Sequence, residues 1–158
     1  IMHLYLVQHG LAQPKDENSE RPLSDRGRTD VGRMASFLAR TRPAISRVIH
    51  SGKLRAAQTA LIFAETLGPG RIVEQAVDGL APNDETDLVS DAINDWTEDT
   101  MIVGHLPHLA KLTSRLVVGD PDKTVIHFQP GTVACLERGE NGGGWTVAWS
   151  VRSELLGG

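Results

Sequence analysis

A three-layer α/β/α fold, with a mostly parallel central sheet and helices on both faces, is predicted by three features of this 158-residue chain. Short apolar runs, Leu4-Tyr5-Leu6-Val7, Val48-Ile49 and Met101-Ile102-Val103, each stop at polar or glycine-containing residues, as buried strands do where they open into loops. Between them lie segments whose apolar residues recur at three- and four-residue spacing, the buried stripe of a helix. Strands that alternate with helices in this way imply a parallel sheet covered on both sides. With 40% hydrophobic residues, residues 1–158 are expected to bury one continuous core as a single domain.

Taken in order, the Leu4 strand ends at Gln8-His9-Gly10, and the polar stretch from Gln13 to Arg21, bounded by Pro14 and Pro22, reads as a loop over that end. Ser24 then caps a helix through Val31, Met34, Ala35 and Leu38, which Pro43 ends. After the Val48 strand, Ser51-Gly52 leads into a helix carrying Leu54, Ala57, Leu61, Ala64 and Leu67, stopped by Gly68-Pro69-Gly70. Ile72-Val73 is a weaker strand, 79–87 a loop, and Leu88 to Trp96 a short helix. The Met101 strand breaks at Gly104-His105, and Pro107 suits the first turn of a helix through Leu109, Leu112 and Leu116. Thr132 to Leu136 and Trp145 to Val151 form a closing hairpin whose turn holds Asn141-Gly142-Gly143-Gly144.

Composition narrows the function. A formal charge of −4 argues against a nucleic-acid partner, which needs a surplus of clustered Lys and Arg. The single cysteine, Cys135, excludes an intramolecular disulfide and a multi-cysteine zinc site, and its apolar neighbours place it as a buried strand thiol. No signal peptide or membrane span is read from the chain, so the cytoplasm is the expected location.

In parallel α/β sheets, ligands bind at the carboxyl ends of the strands. Three polar groupings fall there: Gln8-His9-Gly10, Ser51 with Arg55, and Gly104-His105. A neutral imidazole is a competent nucleophile toward phosphorus near neutral pH. Phosphoryl transfer spreads negative charge over three oxygens, and fixed donors must meet it. His9 is therefore the candidate nucleophile, Arg55 offers a planar fork for two oxygens, and His105 a donor for a third. Gly10 lets the backbone approach closely, and the amino end of the Arg55 helix adds a favourable dipole. A metal reading competes because histidine is the commonest metal ligand, yet no carboxylate or thiolate flanks His9 or His105 to complete a set.

At these residues the chain resembles the histidine phosphatase superfamily, whose members share an Arg-His-Gly loop, a Ser-x-x-x-Arg-Ala-x-Gln-Thr helix start and a later Gly-His or Ser-His. Here these stand as Gln8-His9-Gly10, Ser51 through Arg55-Ala56-Ala57-Gln58-Thr59, and Gly104-His105. The short chain, Arg21-Pro22-Leu23-Ser24 followed by Gly27, and His105-Leu106-Pro107 are similar to the compact phosphohistidine phosphatase branch. The resemblance implies a phosphohistidine intermediate on His9, a pocket completed by Arg55 and His105, a further cation in Arg21, and no metal or organic cofactor. The implied partner is a protein bearing phosphohistidine or a small phosphate ester, with the oligomeric state left open.

Two departures qualify what the resemblance implies. Gln8 stands where the family has a second phosphate-gripping arginine, the loss of which costs roughly 2 to 4 kcal/mol of transition-state stabilisation. No general acid aligns after the third strand, where Asp78, Asp84 and Glu85 are candidates. An imidazole leaving group needs less protonation help than an alkoxide, which favours a phosphoramidate substrate. The leading expectation is thus a phosphohistidine phosphatase. The alternatives are a phosphomonoesterase using one of those carboxylates, and a phosphate-binding module in which Gln8 has weakened or ended catalysis.

Overall fold

The computed structural model describes residues 1–140 and 143–157. Its six strands are β1 (His3–Gln8), β2 (Arg47–His50), β3 (Ile72–Gln75), β4 (Thr100–Gly104), β5 (Val133–Arg138) and β6 (Trp145–Val151). Its helices are α1 (Asp25–Arg40), α2 (Leu54–Leu67), α3 (Asp87–Asn94) and α4 (His108–Val118). They form one sheet in the order β3-β2-β4-β1-β5-β6. The β1–β4, β2–β4 and β2–β3 pairs are parallel, whereas β5 and β6 close the sheet with antiparallel pairs. The expected layers and mixed closure are therefore present.

The apolar run of β1 is fully buried because both of its faces are covered. Tyr5 and Val7 point to α1 and α2, meeting Val31, Met34, Leu38, Ala60 and Phe63. Leu4 and Leu6 point the other way, to Ile93 of α3 and Leu109 and Leu112 of α4. Alternation along a pleated strand thus divides one continuous apolar run between two cores. Cys135 belongs to the first of these, 1% exposed, and burial pushes its thiol up to about 11. Exposed β3 is an edge strand, which explains its weak apolar signal. Among the described residues no helix is long and apolar enough to cross a membrane.

Element ends differ from expectation in small, explicable ways. α3 stops at Asn94 rather than Trp96, with the Trp96 N–H turned back to the Ile93 carbonyl. Pro107 lies just before α4 rather than inside it. β5 starts one residue later than expected and runs to Arg138, two residues past Leu136. Of the predicted 141–144 turn, Asn141 and Gly142 lie outside the described residues.

Ser24 caps α1 as expected, its hydroxyl accepting from the Gly27 N–H at 3.0 Å. That cap presses the helix start against the chain that leaves β1. A Cβ on Gly27 would lie 2.0 Å from the Leu11 carbonyl oxygen, and that carbonyl is already held by the Ser24 N–H at 2.9 Å. Gly10 is likewise confined: its Cβ would meet Val31 Cγ2 at 2.6 Å. The close approach that Gly10 permits is therefore to α1.

Gly27→Ala is expected to gain helix propensity yet destabilise the fold by about 1–3 kcal/mol, because the Leu11 carbonyl has no free direction in which to move. Urea titration of the variant beside the native chain checks this, with a loss of phosphatase turnover expected alongside.

Candidate active site

Parallel pairing brings the three polar groupings together. Gln8 is the β-partner of Gly104, and just beyond them the His9 N–H donates to the Gly104 carbonyl at 3.1 Å. The two histidine rings consequently stand 4.9 Å apart, centroid to centroid, at 50°. β2 lies on the other side of β4, so Ser51 reaches the same place, its Oγ 2.5 Å from His105 Nε2.

His9 is tethered through Nδ1, which lies 2.7 Å from the Gly10 carbonyl. A carbonyl only accepts, so Nδ1 carries the proton and Nε2 is left with its lone pair. Burial, opposed in part by that hydrogen bond and reinforced by Arg55 and Arg21, lowers His9 to about 4. His105 is 1% exposed, and burial, with contributions from His9, Arg55, Lys53 and His108, lowers it to about 3. Both imidazoles are neutral at physiological pH. The charges acting on them come from cations and neighbouring imidazoles; no carboxylate is among them.

Arg55 occupies the second position of α2, where free backbone N–H groups and the helix dipole favour an anion. Burial, with the neighbouring Arg21, presses its guanidinium below its ordinary value. Its Nε is buried without a protein partner, as are Gln8 Oε1 and His105 Nδ1. Gln8 itself is 7% exposed at the end of β1.

The loop from Leu11 to Leu23 is closed by an isolated bridge between Ala12 and Leu23 and by Gln13 N–H donating to the Pro22 carbonyl at 2.8 Å. Within it Arg21 holds φ at +51°, a left-handed conformation uncommon for a side-chain-bearing residue. Its Nε donates to the Gln13 carbonyl at 3.2 Å. Such strain persists where the surroundings fix it, and here they do.

Two residues quoted in the helix motif without a role tie these segments together. Gln58 Oε1 accepts from the Leu23 N–H at 2.8 Å, tying α2 to the Arg21 segment. Thr59 is fully buried; its Oγ1 accepts from the Gly10 N–H at 3.0 Å and donates to the Arg55 carbonyl at 2.8 Å. One hydroxyl therefore links the backbones of the His9 and Arg55 segments. The signal was the Gln-Thr pair closing the motif, one turn after Arg55.

None of the candidate acids is among the charges acting on His9 or His105, although Asp84 acts on buried His108, which in turn acts on His105. Asp84 Oδ2 is engaged by the Ala81 N–H at 3.0 Å, and Asp84 and Glu85 line a cavity with Pro107, Lys111 and Arg115. Asp78 lines a different one, with Arg47, Leu88 and Trp96. His3 pairs with Asp99 at 3.4 Å, and His50 accepts from the Gly52 N–H at 3.0 Å; both are structural. Among the described residues no three His, Cys, Asp or Glu side chains converge to hold a metal.

A doubly covered α/β sheet with two neutral histidines and two arginines at its strand ends defines a phosphate-handling enzyme of the histidine-dependent kind. The family model of the histidine phosphatase superfamily, branch 1, matches residues 4–81. An uncharacterized protein of Picosynechococcus is 30% identical over 126 residues, covering 75% of this chain and 74% of that protein. Phosphohistidine phosphatase SixA of Escherichia coli is 28% identical over 155 residues, 95% of this chain and 93% of that protein. The structure of the protein histidine phosphatase SixA complexed with tungstate superposes with a TM-score of 0.84 at 28% identity, covering 98% and 99% of the two chains. The chain belongs to the histidine phosphatase superfamily, in its SixA-like branch, and is a phosphatase.

A histidine that attacks must be neutral, so with His9 in that role kcat/KM on a non-titrating phosphoryl substrate is expected to stay level from neutral pH downward and to fall through an acid limb near pH 4. A limb near the ordinary histidine value of about 6.5 would contradict the buried, neutral His9. The same depression makes folding stability fall as pH drops from the unfolded value toward about 4, since the unfolded chain takes up the proton first. Arg21→Gly is expected to leave the unfolding free energy from urea titration within about 1 kcal/mol of native, strain relief offsetting the lost contacts and added chain entropy. Phosphate affinity, read by calorimetry, should nevertheless fall severalfold.

Proposed function

We propose that this chain, folded as one domain over residues 1–158, removes phosphate from phosphohistidine carried on a protein. The observation that carries the proposal is the tethered, neutral His9 beside His105, Arg55 and Arg21, with no carboxylate of the described residues acting on either imidazole. His9 Nε2 attacks phosphorus as the substrate's P–N bond breaks, and the departing imidazole takes its proton from water. Arg55 and Arg21 meet the charge on the equatorial oxygens, Gly10 holds the Nδ1 proton of His9, and His105 and the Gln8 amide lie beside the reacting group. Water then attacks the phosphorus on His9, the new P–N bond breaks, and inorganic phosphate leaves with His9 neutral again.

The missing acid selects the substrate. An alkoxide leaving group needs a proton delivered in the transition state, whereas Asp84 is engaged by the Ala81 N–H and the cavities lined by Asp78, Asp84 and Glu85 include neither His9 nor His105. An imidazole departs without such help. The similarity to SixA, a protein histidine phosphatase by name, supports the same direction.

Hydrolysis of a phosphohistidine-bearing protein and of p-nitrophenyl phosphate, compared without added metal, tests this. Native chain is expected to prefer the phosphoprotein, His9→Ala to lose both activities, and Gln8→Arg to raise turnover by about one to three decades. A native chain that binds phosphate but turns over neither substrate, with activity appearing only in Gln8→Arg, would make it a phosphate-binding module. Ester turnover exceeding phosphoprotein turnover, and lost on substituting Asp78, Asp84 or Glu85, would make it a phosphomonoesterase.

A further inference from the structure

Each of the three segments that build the site leaves a leucine in water beside it. Leu11 follows Gly10, Leu54 precedes Arg55 and Leu106 follows His105, and they are 45%, 36% and 38% exposed. Consecutive Cα atoms are about 3.8 Å apart, so every one of these leucines is a single residue from the cluster. They come from three separate segments, after β1, at the start of α2 and after β4, instead of running along one helix.

Folding does not account for them. The same segments bury Ala12, Leu23, Ala56 and Leu109, each between 0% and 9% exposed, and leave these three outside. Cations of these segments act on the histidines: Lys53, exposed and next to Leu54, on His105, and half-buried Arg21 on His9.

We propose that Leu11, Leu54 and Leu106 form the docking face for the substrate protein, one that presents its phosphohistidine from an apolar surface with acidic side chains placed to meet Lys53. This rests on the phosphohistidine reading and extends it to the substrate's surroundings. An imidazole-borne phosphoryl group stands one side chain above its carrier, so attack by His9 brings the carrier's surface onto whatever lies around His9. A small phosphate ester with a polar body gains nothing from three leucines, whereas a protein face buries them. A second copy of this chain is not the occupant, since seated there it would cover His9 and close the site.

The test compares the native chain with the triple variant Leu11→Ser, Leu54→Ser, Leu106→Ser on phosphoramidate and on two unrelated proteins phosphorylated on a surface histidine. The triple variant is expected to keep phosphoramidate turnover within about twofold while its KM for the phosphoproteins rises about tenfold or more. Equal phosphoprotein KM in the two chains overturns the docking face. So does a native chain that hydrolyses phosphoramidate but neither phosphoprotein, or a native dimer that the triple variant dissociates. Native chain inactive on all three substrates overturns the phosphohistidine reading instead. Should the triple variant lose phosphoramidate turnover, Leu11→Ser alone, at the most exposed of the three positions, decides by the same comparison.

Discussion

The parallel pairing of β1 with β4 governs this structure. With Gln8 opposite Gly104 and the His9 N–H on the Gly104 carbonyl, the residues that follow in each chain leave the sheet side by side. A shift of register by one residue would send Leu4 and Leu6 toward the α1 face and Tyr5 and Val7 toward the α4 face, exchanging two cores of different shape. Register is therefore held by the whole buried run of β1, and the 4.9 Å separation of the two imidazoles is a consequence of core packing. Nothing in the loops has to find that geometry for itself.

Holding two imidazoles so close beside two guanidinium groups is possible only because the imidazoles stay neutral. Two charged rings at that separation would repel by about 3 kcal/mol at an effective dielectric near 20, before the arginines are counted. Desolvation is the first cause of both lowered values, with the cations adding to it. The site thus keeps its fixed positive charge on groups that do not titrate and leaves the His9 Nε2 lone pair free. Arg21 shows what that arrangement costs locally: its backbone sits in a left-handed conformation, fixed by the Ala12–Leu23 bridge and by Gln58 on the Leu23 N–H.

Much of this was readable from residue order. Apolar runs and helical spacing located the six strands and four α-helices, since burial on both faces leaves an unambiguous apolar block in β1 and β4 and only edge strand β3 was faint; the short 3-10 turn at Ser153–Leu156 carries no such signal. The three groupings at strand ends were readable for the same reason: strand ends are where apolar runs stop. What residue order does not display is support at a distance. Thr59 bridging the Gly10 N–H and the Arg55 carbonyl, and Gln58 reaching Leu23, depend on how α2 lies against the β1 loop, a relation between residues 35 to 49 positions apart. The purpose of Gly10 was also hidden, because the space its missing side chain leaves is filled by Val31 from α1.

The absent acid becomes consistent when the leaving group is considered with it. A carboxylic acid serves a reaction whose leaving oxygen gathers negative charge and must be protonated, whereas a second arginine grips the equatorial oxygens whatever the leaving group. A P–N bond to an imidazole places the leaving charge on a ring that water can protonate near neutral pH, so the demand for the acid is smaller. The amide of Gln8, buried at the end of β1 with Oε1 unpartnered, supplies a neutral dipole where a guanidinium would add charge to a dry cluster that already holds Arg55 and Arg21. A site with fewer cations also holds inorganic phosphate less tightly, which favours release of the product over its retention.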